Sequence, residues 1–407
     1  MHLESKPISL FSIFAKRIES GSDMDTPFVY STYVTGRNFI GRKAECNILG
    51  NLLGAGENVV IYGPPRSGKK SLVQQTLFNM RISGKQFSAC DINLFNIRSL
   101  EKFLTCFGSA VIRSCFSTPG EYQESVSRLL DGTHFIFDKE RFSRYDEVVS
   151  LNWAPDADDI RAMLALPGRI AAERGMKIFV LIEEFQNLME DGRFEEIFSA
   201  LKETMHRNSG TENSCCFIFS GSRVNAMKYI FEDYKYFHKQ VEHVPIQEID
   251  EMEIIEHVMR GFQNSGKVIE QEMILWAARL FKGNMWYINH FMATCDSMTK
   301  GFINEGILME ALRMVISVHE PHYLRIMENL TGHQTSLLRA VLEGVVKFSA
   351  TDIIEKYSLN SSANVRRVKD ALCKKEIITF NDREEPSVLD PLFEYWLRKY
   401  YFEIPDL

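Results

Sequence analysis

Gly63-Pro64-Pro65-Arg66-Ser67-Gly68-Lys69 has the spacing G-x-x-x-x-G-K. Glycines at both ends let the chain turn tightly, so that backbone N–H groups curl around an anion, and the lysine adds a mobile positive charge. That is the chemistry of gripping the β- and γ-phosphates of a nucleotide. Pro64 and Pro65 have no N–H, so the cradle must start at Arg66. Lys69 bridges the two phosphates, and a helix that begins there directs its positive dipole end at them. The next position calls for Ser or Thr, whose hydroxyl ligates Mg²⁺. It holds Lys70 instead, and Ser71 brings a hydroxyl one place further round the helix. A second ammonium there either neutralises phosphate charge itself and repels a metal ion, or turns away and leaves the ligand position to water. On both readings the Mg²⁺ site is weaker than usual. The bland alternative, a structural Gly/Pro turn, fits the context less well, because a buried apolar run precedes the segment and a helical pattern follows it.

Leu181-Ile182-Glu183-Glu184 is the second half of such a site, an apolar run ending in two acids. In this pattern the first acid holds Mg²⁺ through water and the second polarises the attacking water. Glu184 has the place of the general base. Glu183 stands where Asp is usual, and one extra methylene moves its carboxylate by roughly an ångström, which active-site geometry tolerates poorly. Alone, two acids could be a solvated strand end; beside a phosphate loop they read as catalytic. Ser220 or Ser222, at the end of the next apolar run, stands where related nucleotide sites carry a polar sensor that positions the water, or else caps a helix from Val224 onward. Arg223 is a candidate arginine finger or sensor.

The elements that must hold these residues follow from the pattern. Asn58–Tyr62 is a β-branched apolar run stopping at the Gly-Pro-Pro turn, and Lys70–Met80 is helix-compatible. Phe87–Ile92, Ile178–Ile182, Cys215–Phe219 and, more weakly, Val241–Ile246 read as further strands. Helical patterns at Leu100–Arg113, Asp156–Glu173 and Phe194–His206 alternate with them, which implies a mostly parallel sheet with crossover helices. Residues 117–155 read as an insertion of loops and short helices. After Asp250 the strands stop, and Glu251–Phe262, Glu270–Phe281 and Met285–Ser297 are amphipathic helices of a lid. From Thr331 come Gln334–Glu343, Ala350–Tyr357 and Ser361–Lys374, then the short runs Ile377–Phe380 and Ser387–Leu389 around an acidic turn. Three helices and a two-stranded ribbon are winged helix-turn-helix order. The expected division is an N-terminal extension (1–36), an α/β P-loop core (37–248), a helical lid (249–325) and a winged-helix domain (326–407). Within the extension, Phe11, Phe14 and Ile18 have the spacing of a short helix.

With these pieces placed, the chain resembles the archaeal-type P-loop ATPase family of bacteria and archaea, in the AAA+/STAND group. Phe39-Ile40-Gly41-Arg42-Lys43-Ala44-Glu45 is similar to that family's F-x-G-R-x-x-E entry box, which implies Phe39, Gly41 and Arg42 near adenine. Glu183-Glu184-Phe185-Gln186 stands where the family has D-E-F-Q. Ser220-Gly221-Ser222 is followed by Met227, and Gly283-Asn284 with Trp286-Tyr287 is similar to the G-x-P-x-Y lid motif, with Met285 replacing proline. Asp390 and Phe393-Glu394-Tyr395-Trp396-Leu397 resemble the winged-helix end. The resemblance implies ATP binding by Gly63 to Ser71 in an AAA+-like α/β core with lid and winged helix, and the leading expectation for its use is a nucleotide-dependent switch. Hydrolysis to ADP and phosphate is expected to be weak, because Lys70 and Glu183 depart at both metal-ligand positions; the alternative is a degenerate scaffold that binds nucleotide without hydrolysing it.

Composition narrows the class further. Over 407 residues, 45% hydrophobic and 25% charged content is globular, and a net charge of −7 argues against bulk attraction to nucleic acid or anionic membrane. The 8 cysteines are scattered without zinc spacing, as expected of small apolar residues in a reducing cytoplasm. No apolar run approaches the ~20 residues of a membrane span. Arg366, Arg367, Lys369 and Lys374 on the third tail helix make DNA a possible partner, while the acidic Asp382-Arg383-Glu384-Glu385 turn suits a protein partner or an intramolecular role better.

Overall fold

The computed structural model describes residues 27–208 and 215–404. The helix expected around Phe11, Phe14 and Ile18 lies outside the described residues. Five parallel strands form the central sheet: β1 (Asn58–Tyr62), β2 (Phe87–Asn93), β3 (Lys177–Glu183), β4 (Cys215–Gly221) and β5 (Val241–His243), in the order β2-β3-β4-β1-β5. β1, β3 and β4 are apolar at nearly every position because both faces of the sheet are covered. Alternate residues serve opposite cores. Val60, Val180, Ile182, Phe217 and Phe219 pack with helices α3 (Leu100–Cys115), α4 (Ala157–Arg174) and α5 (Phe194–Asn208). Val59, Ile61, Phe179, Leu181 and Ile218 pack with α1 (Lys43–Ala55) and α2 (Lys69–Ile82).

Register brings the chemical residues together. Tyr62 pairs with Gly221, Ser220 with Glu183 and Glu183 with Asn93, so the carboxyl ends of four strands finish at one edge. In an open parallel sheet this edge, where the strand order reverses around β1 and β4, is where ligands bind. The insertion at 117–155 holds the helices Pro119–Leu129 and Lys139–Tyr145 and a two-residue antiparallel ribbon.

The lid consists of α6 (Glu251–Asn264), α7 (Gln271–Leu280), α8 (Met285–Met298) and α9 (Glu305–Glu328). Strands do not stop entirely after Asp250, since Val268–Ile269 pairs in parallel with Phe302–Ile303. The segment is too short and too exposed to show period-2 patterning. Helix α9 runs straight across position 325, where the lid was expected to end, despite Pro321 in its interior. The tail follows with α10 (Gly332–Leu342), α11 (Thr351–Lys356) and α12 (Ser362–Lys374). The ribbon β6 (Ile378–Phe380) with β7 (Pro386–Val388) comes next, then α13 (Pro391–Trp396). Lid and winged helix share one continuous apolar core that includes Phe28, Val258, Phe291, Tyr323, Leu372 and Trp396. Among the described residues no helix is long and apolar enough to cross a membrane.

Phe393, from α13, is buried 4.9 Å from the ring of Tyr323 on α9. Phe393→Ala should therefore cost about 3–5 kcal/mol and destabilise lid and winged helix together. In urea denaturation the expected result is one common shifted transition for these parts; a separate early transition of the winged helix alone would contradict the shared core.

Candidate functional site

The loop after β1 is shaped by backbone geometry. Gly63 N–H donates to Gly221 O (3.3 Å), tying the loop to the neighbouring strand. Arg66 and Gly68 are left-handed, with φ of 65° and 86°. Gly68 tolerates this because it lacks a Cβ, and a Cβ there would also lie 2.8 Å from Arg42 Nη1. Helix α2 then begins at Lys69 with no side chain capping it. The unpaired N–H groups of its first turn, which every helix has, border a cavity of about 490 Å³. A Gly-kinked, uncapped helix start beside a cavity fits a phosphate group.

Lys69 is 8% exposed, and its Nζ donates to Gly63 O and Pro64 O, both at 2.8 Å. Burial pulls its pKa down to about 8, with Arg42 adding to the shift and the charges of Glu184 and Glu183 opposing it. Arg42 donates to Ser67 O at 2.7 Å and so braces the loop from the entry box. Its Nε is buried without a partner among the described residues, and burial lowers its pKa. Phe39 and Arg42 line the cavity. Gly41 does not; at φ 64° it lies against Ile249 and Glu253, where the lid begins. Pro65, Arg66, Ser67 and Gly68 line the cavity, while Gly63 and Pro64 stand behind it as acceptors for Lys69.

The two departures from the usual pattern meet each other. Lys70 Nζ lies 2.7 Å from Glu183 Oε1 and 3.4 Å from Asp91 Oδ2. Burial opposes its charge, but the hydrogen bond to Glu183 and the fields of Glu183 and Asp91 outweigh it and raise the lysine pKa. Lys70 therefore neither snorkels into solvent nor stands free. Ser71 is also occupied, because its hydroxyl accepts from Val34 N–H at 3.1 Å. The donor set that would hold Mg²⁺ thus carries an ammonium on its carboxylates and a backbone N–H on its hydroxyl. A divalent cation does not fit these residues as they stand.

Glu184 is left-handed (φ 57°), and its Oε2 accepts from Ser222 Oγ at 2.5 Å and Gln186 Nε2 at 2.7 Å. Of the two serines weighed, Ser222 is the one that touches Glu184. Ser220 is buried in β4 and borders the cavity beside Glu183. Ser222 does not cap the helix from Val224; the residue at that cap is Arg223, with no side-chain bond. Arg223 faces elsewhere, 3.1 Å from Glu190, and does not line the cavity.

Several residues of the site were missed. Part of the expected N-terminal extension is a strap over the cavity: Val29, Tyr30, Tyr33 and Val34 line it. Val29 O accepts from Asn289 of the lid (2.9 Å), while Val34 N and Gly36 N donate to Ser71 and Gln75 of α2. These bonds use backbone groups, which leave no sequence signature. Trp286, in the first turn of α8, has the Arg66 guanidinium 3.7 Å from its ring centroid, a cation–π contact from phosphate loop to lid. The next residue, Tyr287, donates its hydroxyl to Asp390 (2.9 Å), which caps α13 of the winged helix.

Fold and site together define the architecture: an AAA+-like P-loop fold, with a parallel sheet core, a helical lid and a C-terminal winged helix. Residues 321–399 match a family described as a probable winged helix domain. The chain is similar over 91% of its length to 99% of a Walker-type ATPase of Pyrococcus abyssi, with a TM-score of 0.63 and 16% identity. It is similar over 88% of its length to 93% of the Aeropyrum pernix ORC2 protein, solved as ADPNP–ADP complexes, with a TM-score of 0.54 and 16% identity. The likeness at this identity is one of fold. No curated protein matches the chain in sequence.

Gly221 is packed so closely that a Cβ would lie 2.4 Å from Met227 and 2.5 Å from Gln186 Oε1. Gly221→Ala should cost about 1–3 kcal/mol through overpacking, read as a lowered urea midpoint. An unchanged midpoint would show that Met227 yields freely.

Proposed function

We propose that the chain is a nucleotide-dependent switch that binds ATP at the Gly63–Ser71 loop and hydrolyses it slowly. The observation that carries this reading is the path from loop to winged helix. Arg66, within the loop, stacks on Trp286 of the lid, and its neighbour Tyr287 holds Asp390 of the winged helix. A ligand that engages the loop N–H groups lies beside Arg66, and the lid lies directly on that side chain. A second path starts at the other side of the site. Beyond Ser222, Asn225 N and Ala226 N donate to the Glu376 carboxylate at 3.1 and 3.0 Å, and Lys228 Nζ donates to Phe380 O at 2.6 Å. Both ends of the winged helix are thus tied to residues flanking the site, which is what a two-state element biased by a ligand requires. The nucleotides bound by the structurally similar ORC2 protein support adenine nucleotides as the ligand class. Glu184, held by Ser222 and Gln186, supports a residual capacity to polarise water.

The winged helix admits a second reading, as a DNA-binding module. Arg366, Arg367 and Lys374 are exposed on α12. Against it, the ribbon that would flank DNA is bonded to Lys228 through Phe380 O, and its turn is acidic. An intramolecular or protein-binding use agrees better with these contacts.

Two outcomes test the switch. Phosphate contact keeps Lys69 charged, whereas the free side chain loses its proton near pH 8, so binding above that pH takes up a proton. ATP affinity, measured with a fluorescent analogue, should fall by about tenfold between pH 7 and 9; Lys69→Ala should bind far more weakly and without that slope. A wild-type affinity that is flat with pH would remove Lys69 from the phosphate contact. In hydrogen–deuterium exchange, ATP should alter protection of residues 362–380. In Asn225→Ala, which leaves the loop untouched, ATP should still bind while that response shrinks. No response in the natural chain would contradict the switch.

A further inference from the structure

Lys70, Glu183, Asp91 and Ser71 form an arrangement that the switch reading alone does not use. In the usual chemistry of such sites a divalent cation links phosphate oxygens to a hydroxyl and a carboxylate. Here the carboxylate of Glu183, with its side chain only 15% exposed, is bonded to Lys70 Nζ at 2.7 Å. Asp91 adds a second negative charge to the same ammonium at 3.4 Å, and Gln74 Nε2 fixes that carboxylate at 3.0 Å. The hydroxyl of Ser71 is turned to Val34. The carboxylates and the hydroxyl nearest the usual metal position are therefore each bonded within the chain.

The lysine retains donor capacity beside the cavity, where its Nζ also lies 5.6 Å from the ring centroid of Tyr33. An ammonium has three donors, two of them directed at Glu183 and Asp91. Lys70 borders the same cavity as Lys69, and its side chain is one-third exposed. It follows Lys69 directly in the first turn of α2, where the phosphate loop ends. We propose that the Lys70 ammonium is a built-in substitute for the divalent cation, so that this site takes nucleoside polyphosphate in its metal-free form. The inference rests on the nucleotide reading above and specifies the form of its ligand. Charge agrees with the assignment. A fixed cation already sits on the acids at the border of the cavity, so phosphate binding needs no metal to shield it from Glu183. An incoming divalent ion would have to displace the ammonium.

The experiment measures ATP affinity in excess Mg²⁺ and in EDTA, for the natural chain and for Lys70→Thr, with circular dichroism confirming the fold of the variant. The natural chain should bind ATP with affinities that agree within about threefold in the two conditions. Lys70→Thr frees Glu183 and Asp91 and supplies a hydroxyl, so it should bind about tenfold or more tightly in Mg²⁺ than in EDTA. A natural chain that needs Mg²⁺ overturns the inference and leaves the nucleotide reading standing, and this comparison holds even where the variant fails to fold. Equal affinities for Lys70→Thr in both conditions also overturn it. Failure of the natural chain to bind in either condition overturns both readings together.

Discussion

Helix α2 starts at Lys69 with only the left-handed Gly68 between it and the loop. Successive residues on a helix point about 100° apart, so two consecutive lysines at this start cannot serve one place. Lys69 turns back into the loop carbonyls and gives up part of its basicity to burial. Lys70 turns toward the ends of β2 and β3 and is held there by two carboxylates. The rest of the site arranges itself around this division. Glu183 is long enough to reach the ammonium, Ser71 is released to hold the strap, and Glu184 is left to Ser222 and Gln186. The departures at Lys70 and Glu183, which taken singly look like losses, are two halves of one ion pair.

The strap and the lid are tied to the same helix start. Val29 bonds to Asn289 in the lid and Phe28 packs in the lid core, while Val34 and Gly36 bond to α2. Residues 28–36 therefore span from one side of the cavity to the other, and Arg66 on Trp286 spans it again. Because lid and winged helix share a core, a shift of α8 is not absorbed by a loose joint before it reaches the tail.

Much of this was legible in the sequence. β1, β3 and β4 announce themselves as short apolar runs because they are buried on both faces, and the loop and the paired acids are local motifs with fixed spacing. What was hidden depends on long-range register or on backbone bonds. Asp91 sits mid-strand among alternating residues, and only the pairing of β2 with β3 reveals that it faces Lys70. The strap has neither period, since its contacts run through Val29 O, Val34 N and Gly36 N. Helix α9 shows apolar positions at Leu308, Ala311, Leu312, Val315 and Ile316, yet Pro321 reads as a breaker. Trp286 looked like an imperfect lid motif and turned out to be the partner of Arg66.

Lys70 Nζ, bonded to Glu183, stands where such sites place a metal. Anomalous diffraction from crystals grown with an ATP analogue and Mn²⁺ tests it most directly. The expected map shows nucleotide phosphates at the Gly63–Ser71 loop, Lys70 Nζ between them and Glu183, and no manganese peak at that position. A manganese peak bound to Glu183, with Lys70 displaced into solvent, would contradict it.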